Sequence, residues 1–337
     1  MTPLPELAAI ERLLEAGRPH LRHAVAAVVR DGGDSWPVHV ATLGSASSEA
    51  PVFAVVAGVH GLERIGTEVA IAFLHALVER LRWDESLHAQ LAAMRIVVLP
   101  LLNPGGLARS TRANPNGVDL MRNAPLDAVD KTPPLAGGHR LGPHLPWYRG
   151  PAAGPMEVES RALCELVERD WLAAPFTLTI DCHSGFGLCD RVWFPYACAR
   201  RPFEHLPELL AIAELLDDTY PQHRYVFEPQ SAQYLAHGDL WDHLALRAIE
   251  GGRLLLPLTL EMGSWVWVRK NPRQVLSRHG LFNPLITHRQ QRVLRRHVQW
   301  LEFMSRVAQS HARWRPAAAQ RESLRQRGLL RWYGPLR

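Results

Sequence analysis

The sequence predicts an α/β fold, with a mixed, largely parallel central sheet, helices on both faces, and one main domain over residues 1–283. Three observations predict it. Short runs rich in valine and leucine recur along the chain between Gly, Asp or Pro residues. Segments of helical periodicity alternate with them. The composition, 47% apolar and 21% charged over 337 residues, is that of an ordinary folded protein and excludes a disordered or fibrous chain.

Taken in order, residues 4–17 place Leu4, Leu7, Ile10 and Leu14 at helical spacing with Glu6, Glu11 and Glu15 outside them. Strands are expected at 24–29, 38–43, 52–57 and 96–101. Ile65, Val69, Phe73, Leu77 and Leu81 form a helical stripe between the last two, which makes a β-α-β unit with parallel strands. Residues 124–155 are rich in proline and glycine and read as a long surface excursion. A helix over 157–171, a buried strand over 176–182, a helix over 209–216 and a buried strand over 254–260 follow. Pro257 removes a ladder donor from the last strand, which must bulge or lie at an edge there. The final long helix covers 287–311, with Val293, Trp300, Leu301, Met304, Val307 and Ala308 inward.

The net charge of +5 is unevenly spread. From Arg289 onward twelve arginines face only Glu302 and Glu322, so the rest of the chain is mildly acidic. Residues 284–337 are therefore expected to form a basic helical extension packed on an acidic body. No basic motif interleaved with aromatics accompanies them, and a nucleic-acid partner is not expected. The apolar runs are too short to span a bilayer and no signal-type N-terminus is visible, so no membrane partner and a cytoplasmic location are expected. Cys164, Cys182, Cys189 and Cys198 lack paired metal-type spacing and read as reduced, buried thiols.

The residues that carry chemistry lie at predicted carboxyl ends of strands, where open α/β sheets bind ligands. After strand 52–57 comes Gly58-Val59-His60-Gly61-Leu62-Glu63, an imidazole and a carboxylate on one face of a starting helix. Strand 176–182 runs into Asp181-Cys182-His183-Ser184, and strand 254–260 ends at Glu261. Two histidines and a glutamate make the three protein ligands of a catalytic zinc site with an open position. A single His at a strand end is more often a capped or satisfied polar residue than a ligand, and Glu261 alone could simply emerge into solvent; their joint placement points to a metal. Asp181 shares strand parity with His183 and could orient it. Between these lie Asn103-Pro104-Gly105-Gly106, Thr111-Arg112-Ala113-Asn114 and Gly117-Val118-Asp119-Leu120-Met121-Arg122-Asn123, whose arginines could polarise a carbonyl or clamp a carboxylate.

In this order the motifs resemble the zinc carboxypeptidase family over about residues 50–265, and look closest to its compact bacterial branch, which includes murein-peptide amidases. The resemblance implies one zinc ion per chain held by His60, Glu63 and His183. It makes Glu261 the general base and proton donor and Arg112 the group that polarises the scissile carbonyl. Arg122 would grip a substrate carboxylate, with Asn114 and His243 as further substrate contacts. Two departures stand out. Met121 replaces the asparagine usual before the carboxylate-binding arginine, and 238–244 contains no tyrosine where digestive members carry a mobile one, leaving His243 or Tyr234 as substitutes. The implied activity is hydrolysis of an amide bond in a small peptide, as a carboxypeptidase-type exopeptidase or peptide amidase. An N-acyl amino acid deacylase of the succinylglutamate desuccinylase and aspartoacylase type is the enzymatic alternative. A catalytically silent member that binds peptides or anions through the arginine-rich tail is the other.

Overall fold

The computed structural model describes residues 4–334. The chain enters through α1 (Pro5–Ala16), which buries Leu7, Ile10, Leu13 and Leu14 on one stripe. A hairpin of β1 (Leu21–Asp31) and β2 (Asp34–Gly44) follows, then β3 (Val52–Ala57), α2 (Arg64–Arg80) and α3 (Glu85–Ala93), the last capped by the Asp84 carboxylate. Next come β4 (Arg95–Leu99), the short α4 (Pro104–Arg109), and α5 (Val158–Leu166), which runs into a π-type turn over Val167–Trp171. The remaining strands are β5 (Thr177–Ser184), β6 (Arg191–Phe194), β7 (Val226–Pro229) and β8 (Leu255–Met262). Between and after them lie α6 (Leu206–Thr219), α7 (Leu240–Glu250), α8 (Trp265–Lys270), α9 (Thr287–Gln309), α10 (His311–Trp314) and α11 (Ala318–Trp332).

The strands form one eight-stranded sheet in the order β1-β2-β4-β3-β5-β8-β6-β7. Pairs β3–β4, β3–β5, β5–β8 and β6–β7 are parallel, while β1–β2, β2–β4 and β6–β8 are antiparallel. Helices cover both faces, as an inner sheet buried on both sides requires. Strand alternation divides the core: Phe53, Val55, Leu178, Ile180, Leu256 and Leu258 pack with α1, α2, α6 and α9, whereas Val52, Ala54, Val56 and Leu255 pack with α5 and α7.

Pro257 lies in a strand that is interior in the sheet order, yet it breaks no ladder bond. Thr177 N–H donates to the Leu254 carbonyl, so the even residues of β8 bond to β5. Pro257 thus directs its nitrogen to the other flank, where β6 pairs only with Thr259 to Glu261. The register with β5 runs through Thr179↔Pro257 without a shift, so the strand has a local edge and no bulge.

Residues 124–155 are irregular but anchored. Arg149 is buried, and its guanidinium donates to the carbonyls of Leu126 and Arg122 and to the Asp127 carboxylate. Of the basic segment, α9 packs on α2 and adds Trp300, Leu301, Met304, Val307 and Ala308 to the main core. Helix α11 lies along α6, with Arg321, Arg327 and Arg331 paired to Glu208, Glu214 and Asp217. Cys164, Cys182 and Cys198 are buried free thiols and Cys189 is a half-buried one. Among the described residues no helix is long and apolar enough to cross a membrane.

Inside this core, α9 buries His297 against the Tyr225 hydroxyl, 3.0 Å from Nδ1, with Asp190 3.8 Å from Nε2. Burial pushes its pKa down to about 4 against the partial offset of Asp190. The unfolded chain protonates this ring near 6.5. Its contribution to stability is therefore complete above pH 6.5 and is lost as pH falls towards 4, by up to ~3 kcal/mol. Urea melts across that window should show a steeper loss in the native sequence than in His297→Gln; parallel slopes would contradict the assignment.

Candidate metal centre

Three parallel strands deliver their carboxyl ends to one place. At the exit of β3, the loop 58–63 packs backbone on backbone against the start of α4. A Cβ on Gly61 would lie 2.0 Å from the Gly106 carbonyl carbon, so only glycine fits. Asn103 clamps the same contact, donating from Nδ2 to the Val59 carbonyl at 3.1 Å and accepting Gly106 N–H at 2.7 Å. His60 and Glu63 are thereby held where α2 begins. On the neighbouring strands His183 pairs in register with Glu261. Cys182 and Leu260 turn into the core on the opposite face, so these two polar side chains share the face lined by α5 and α7.

His60, Glu63 and His183 converge with ligand atoms within 4.8 Å of one another, all three buried. His60 Nδ1 is 2.8 Å from Glu63 Oε1, and His183 Nδ1 is 2.9 Å from Glu63 Oε2 and 3.2 Å from His60 Nδ1. The opposite ring nitrogens are held by carboxylates: His60 Nε2 lies 3.1 Å from Asp119 Oδ1, and His183 Nε2 lies 2.9 Å from Asp181 Oδ2. Asp181 in turn accepts the Trp241 indole N–H at 2.8 Å. This arrangement leaves both Nδ1 atoms and the Glu63 carboxylate as the inward donors, a nitrogen and oxygen set that fits zinc.

The local electrostatics follow from crowding charges out of water. Burial alone would raise the Glu63 carboxyl, but His60 and His183 hold it well below the usual carboxylate range. Burial would likewise depress His183, but Asp181 and Glu63 raise it. Glu261 is pushed up to about 8 by burial, with the charges of Glu63 and Asp181 adding to the shift and those of His183 and Arg112 opposing it. Its Oε2 is buried without a partner among the described residues.

Arg112 and Arg122 line the same cleft as His60, His183 and Glu261. Arg112 donates from Nε to Asp119 at 2.8 Å and from Nη1 to Glu63 at 3.2 Å. Arg122 is buried, its Nε has no partner, and no carboxylate forms an ion pair with it among the described residues; it donates weakly to the Tyr234 hydroxyl at 3.5 Å and to the Met121 carbonyl at 3.4 Å, with the charges of Asp119 and Asp239 nearby. Two expected substrate contacts lie elsewhere. Asn114 spends its amide on Glu157, Glu159 and the N–H groups of Asn116 and Val118, which closes the 114–118 turn away from the cleft. His243 lies on the flank of α7 beside Glu168, Arg247 and Glu250, because the Asp239 cap sets a helix phase that turns Leu240, Trp241 and Leu244 inward instead. Tyr234 is the aromatic hydroxyl that the cleft contains.

With this geometry in place, comparison with known proteins is decisive on ancestry. Residues 28–251 match the zinc carboxypeptidase family, a stretch that includes His60, Glu63, Arg112, Arg122 and His183. The chain belongs to that family. Carboxypeptidase D of Drosophila melanogaster is 33% identical over 104 residues, covering 28% of this chain and 7% of that much longer protein. Among solved structures, thrombin-activatable fibrinolysis inhibitor aligns with a TM-score of 0.64 at 17% identity, over 90% of this chain and 72% of that one. The carboxypeptidase A of Helicoverpa armigera aligns with a TM-score of 0.56 at 16% identity, over 86% and 71%. These likenesses establish the shared α/β fold. The chain thus has the His-x-x-Glu and the later His of its family's metal site in place. One residue of this zinc carboxypeptidase centre escapes a reading of the spacing alone: Asp119, which ties His60 to Arg112. Its signal is the acidic residue within Gly117-Val118-Asp119-Leu120. Asp119→Asn should lower zinc affinity roughly 10–100-fold, the usual cost of losing a carboxylate behind a histidine ligand, as read by chelator competition; unchanged affinity would remove that role.

Proposed function

We propose that this zinc carboxypeptidase family member is an exopeptidase or peptide amidase that binds one zinc ion through His60, Glu63 and His183 and releases a carboxylate-bearing residue from a small peptide. The observation that supports this most is Arg122. Its charge is offset only at a distance, by Asp119 and Asp239; with no carboxylate in hydrogen-bonding contact its buried N–H donors are under-used, and a two-pronged bond to an incoming carboxylate satisfies them. It lines one cleft with Glu261, His60 and His183.

Zinc held by the three donors supplies Lewis acidity, lowering the pKa of water from about 15.7 to roughly 7. The chain's own groups then divide the work. Glu261, whose Oε2 is free of partners, takes the proton of the attacking water and returns it to the leaving nitrogen. Arg112, fixed by Asp119 and Glu63, turns positive charge towards the oxygen that becomes anionic in the transition state. Arg122 and the Tyr234 hydroxyl position the leaving carboxylate. Asp119 and Asp181 keep the two imidazoles in the orientation that leaves Nδ1 inward.

In the zinc-loaded protein Glu261→Gln should retain the metal and lose turnover by roughly 10²–10⁴-fold, the range of a general acid–base contribution. Retained turnover would exclude Glu261 as the base. Incubation of the native chain with acylated dipeptides and N-acyl amino acids, read by mass spectrometry, tests the bond type. Cleavage of the N-acyl amino acids alone would replace this reading with the deacylase one.

A further inference from the structure

We infer that the segment between β8 and α9, residues 263–286, docks the protein on an anionic lipid surface, its leucines entering the acyl boundary and its cations meeting the headgroups. The inference stands apart from the exopeptidase reading. This segment is built inside out. Gln274 is 2% exposed, and its amide donates to the carbonyls of Gly280 and Asn283, both at 2.7 Å. Asn283 is buried as well, donating to the Leu62 carbonyl at 2.8 Å and accepting the Ile65 N–H at 2.9 Å. Polar amides thus hold the fold of the segment, while Val275, Leu276, Leu281 and Leu285 stand in solvent. Leu276, at 89%, is the most exposed large apolar side chain among the described residues. Clustered apolar exposure of this kind marks an interaction surface.

Charge identifies what covers it. No acidic residue occurs between Glu261 and Glu302. Arg269, Lys270, Arg273 and Arg278 are exposed, and the only arginine or lysine of that whole stretch with a carboxylate partner among the described residues is Arg296, on α9. The basic tail differs, since Arg321, Arg327 and Arg331 are already paired with acids of α6. A second copy of the chain is a poor cover, because a two-fold contact sets the same four cations against themselves. A bilayer needs no matching wall: its acyl boundary closes around protruding leucines and the exposed Trp265, and its anionic headgroups meet the flanking cations. No helix spans a membrane among the described residues, and contact of this kind requires none. The surface lies beside the cleft. Ser184 Oγ donates to the Phe282 carbonyl at 2.7 Å and the Trp265 indole N–H to the Gly185 carbonyl at 2.9 Å, while Asn283 grips residues 62 and 65. The segment is therefore bonded to the backbone flanking both His183 and Glu63, and docking there turns the cleft-bearing end of the sheet towards the lipid.

The test is co-sedimentation of the full chain with vesicles of phosphatidylcholine and phosphatidylglycerol, against phosphatidylcholine alone, at low and high salt. The anionic vesicles should bind at least about 10-fold more strongly, and salt should weaken them. Leu276→Ser combined with Leu281→Ser should cut the partition coefficient by at least about 10-fold, and Arg273→Gln by about 5-fold, with the melting temperature unchanged in each. Leu330→Ser, which alters a similarly exposed leucine on α11, should leave binding as it was. Failure of the native chain to bind anionic vesicles overturns the inference, as does binding that survives the double serine variant or ignores lipid charge. A dimer that the double variant dissolves, in place of vesicle binding, assigns the segment to contact between copies; capture of soluble polyglutamate in place of vesicles assigns it to an acidic protein.

Discussion

The arrangement of the whole site is governed by an excess of buried negative charge. Glu63, Asp119, Asp181, Asp239 and Glu261 are five carboxylates withdrawn from water around the end of one sheet, facing two guanidiniums, Arg112 and Arg122, and two imidazoles. Ionised carboxylates in such surroundings are costly unless paired. The protein meets the shortfall in visible ways: His183 holds its proton far more tightly than usual and Glu261 resists losing its own. A divalent cation among the three inward donors balances the same deficit. The electrostatics and the donor geometry thus make the same demand.

The sheet topology is what allows the charges to meet. Parallel β3, β5 and β8 put His60, His183 and Glu261 at the same level, and strand alternation sends their apolar neighbours to the other face. The loop carrying Arg112 and Asp119 reaches the site from the end of β4, the remaining parallel neighbour of β3. Distant elements serve this placement indirectly: α9 seals the face behind α2, and the basic tail neutralises acidic groups on α6.

Much of this was legible in the chain. His60 and Glu63 are three residues apart at a helix start, and His183 and Glu261 each terminate a buried apolar run, so strand polarity alone brings them together. The irregular features were less accessible. Strands β6 and β7 are four residues each, too short for alternation to show. The phase of α7 depends on a single capping side chain, Asp239, and without it His243 cannot be told from a residue facing the cleft. Asn114 looks like a ligand-binding amide in sequence but is consumed by Glu157 and Glu159, acids more than forty positions away. The local edge at Pro257 follows from where β6 ends, which no feature of residues 254–260 encodes.

Arg112 shows how scaffold and chemistry can be inseparable in one side chain. Its guanidinium bridges Asp119 and Glu63, the support of one proposed metal ligand and another proposed ligand itself. Truncating it would leave two anions confronting each other in a dry environment, so the coordination sphere would relax before any reaction began. A rate measured in such a mutant would conflate displacement of the proposed ion with loss of the carbonyl-polarising role proposed for this side chain. In this protein the arginine's effect on rate has a meaning only alongside a spectroscopic measure of where the metal's ligands have gone.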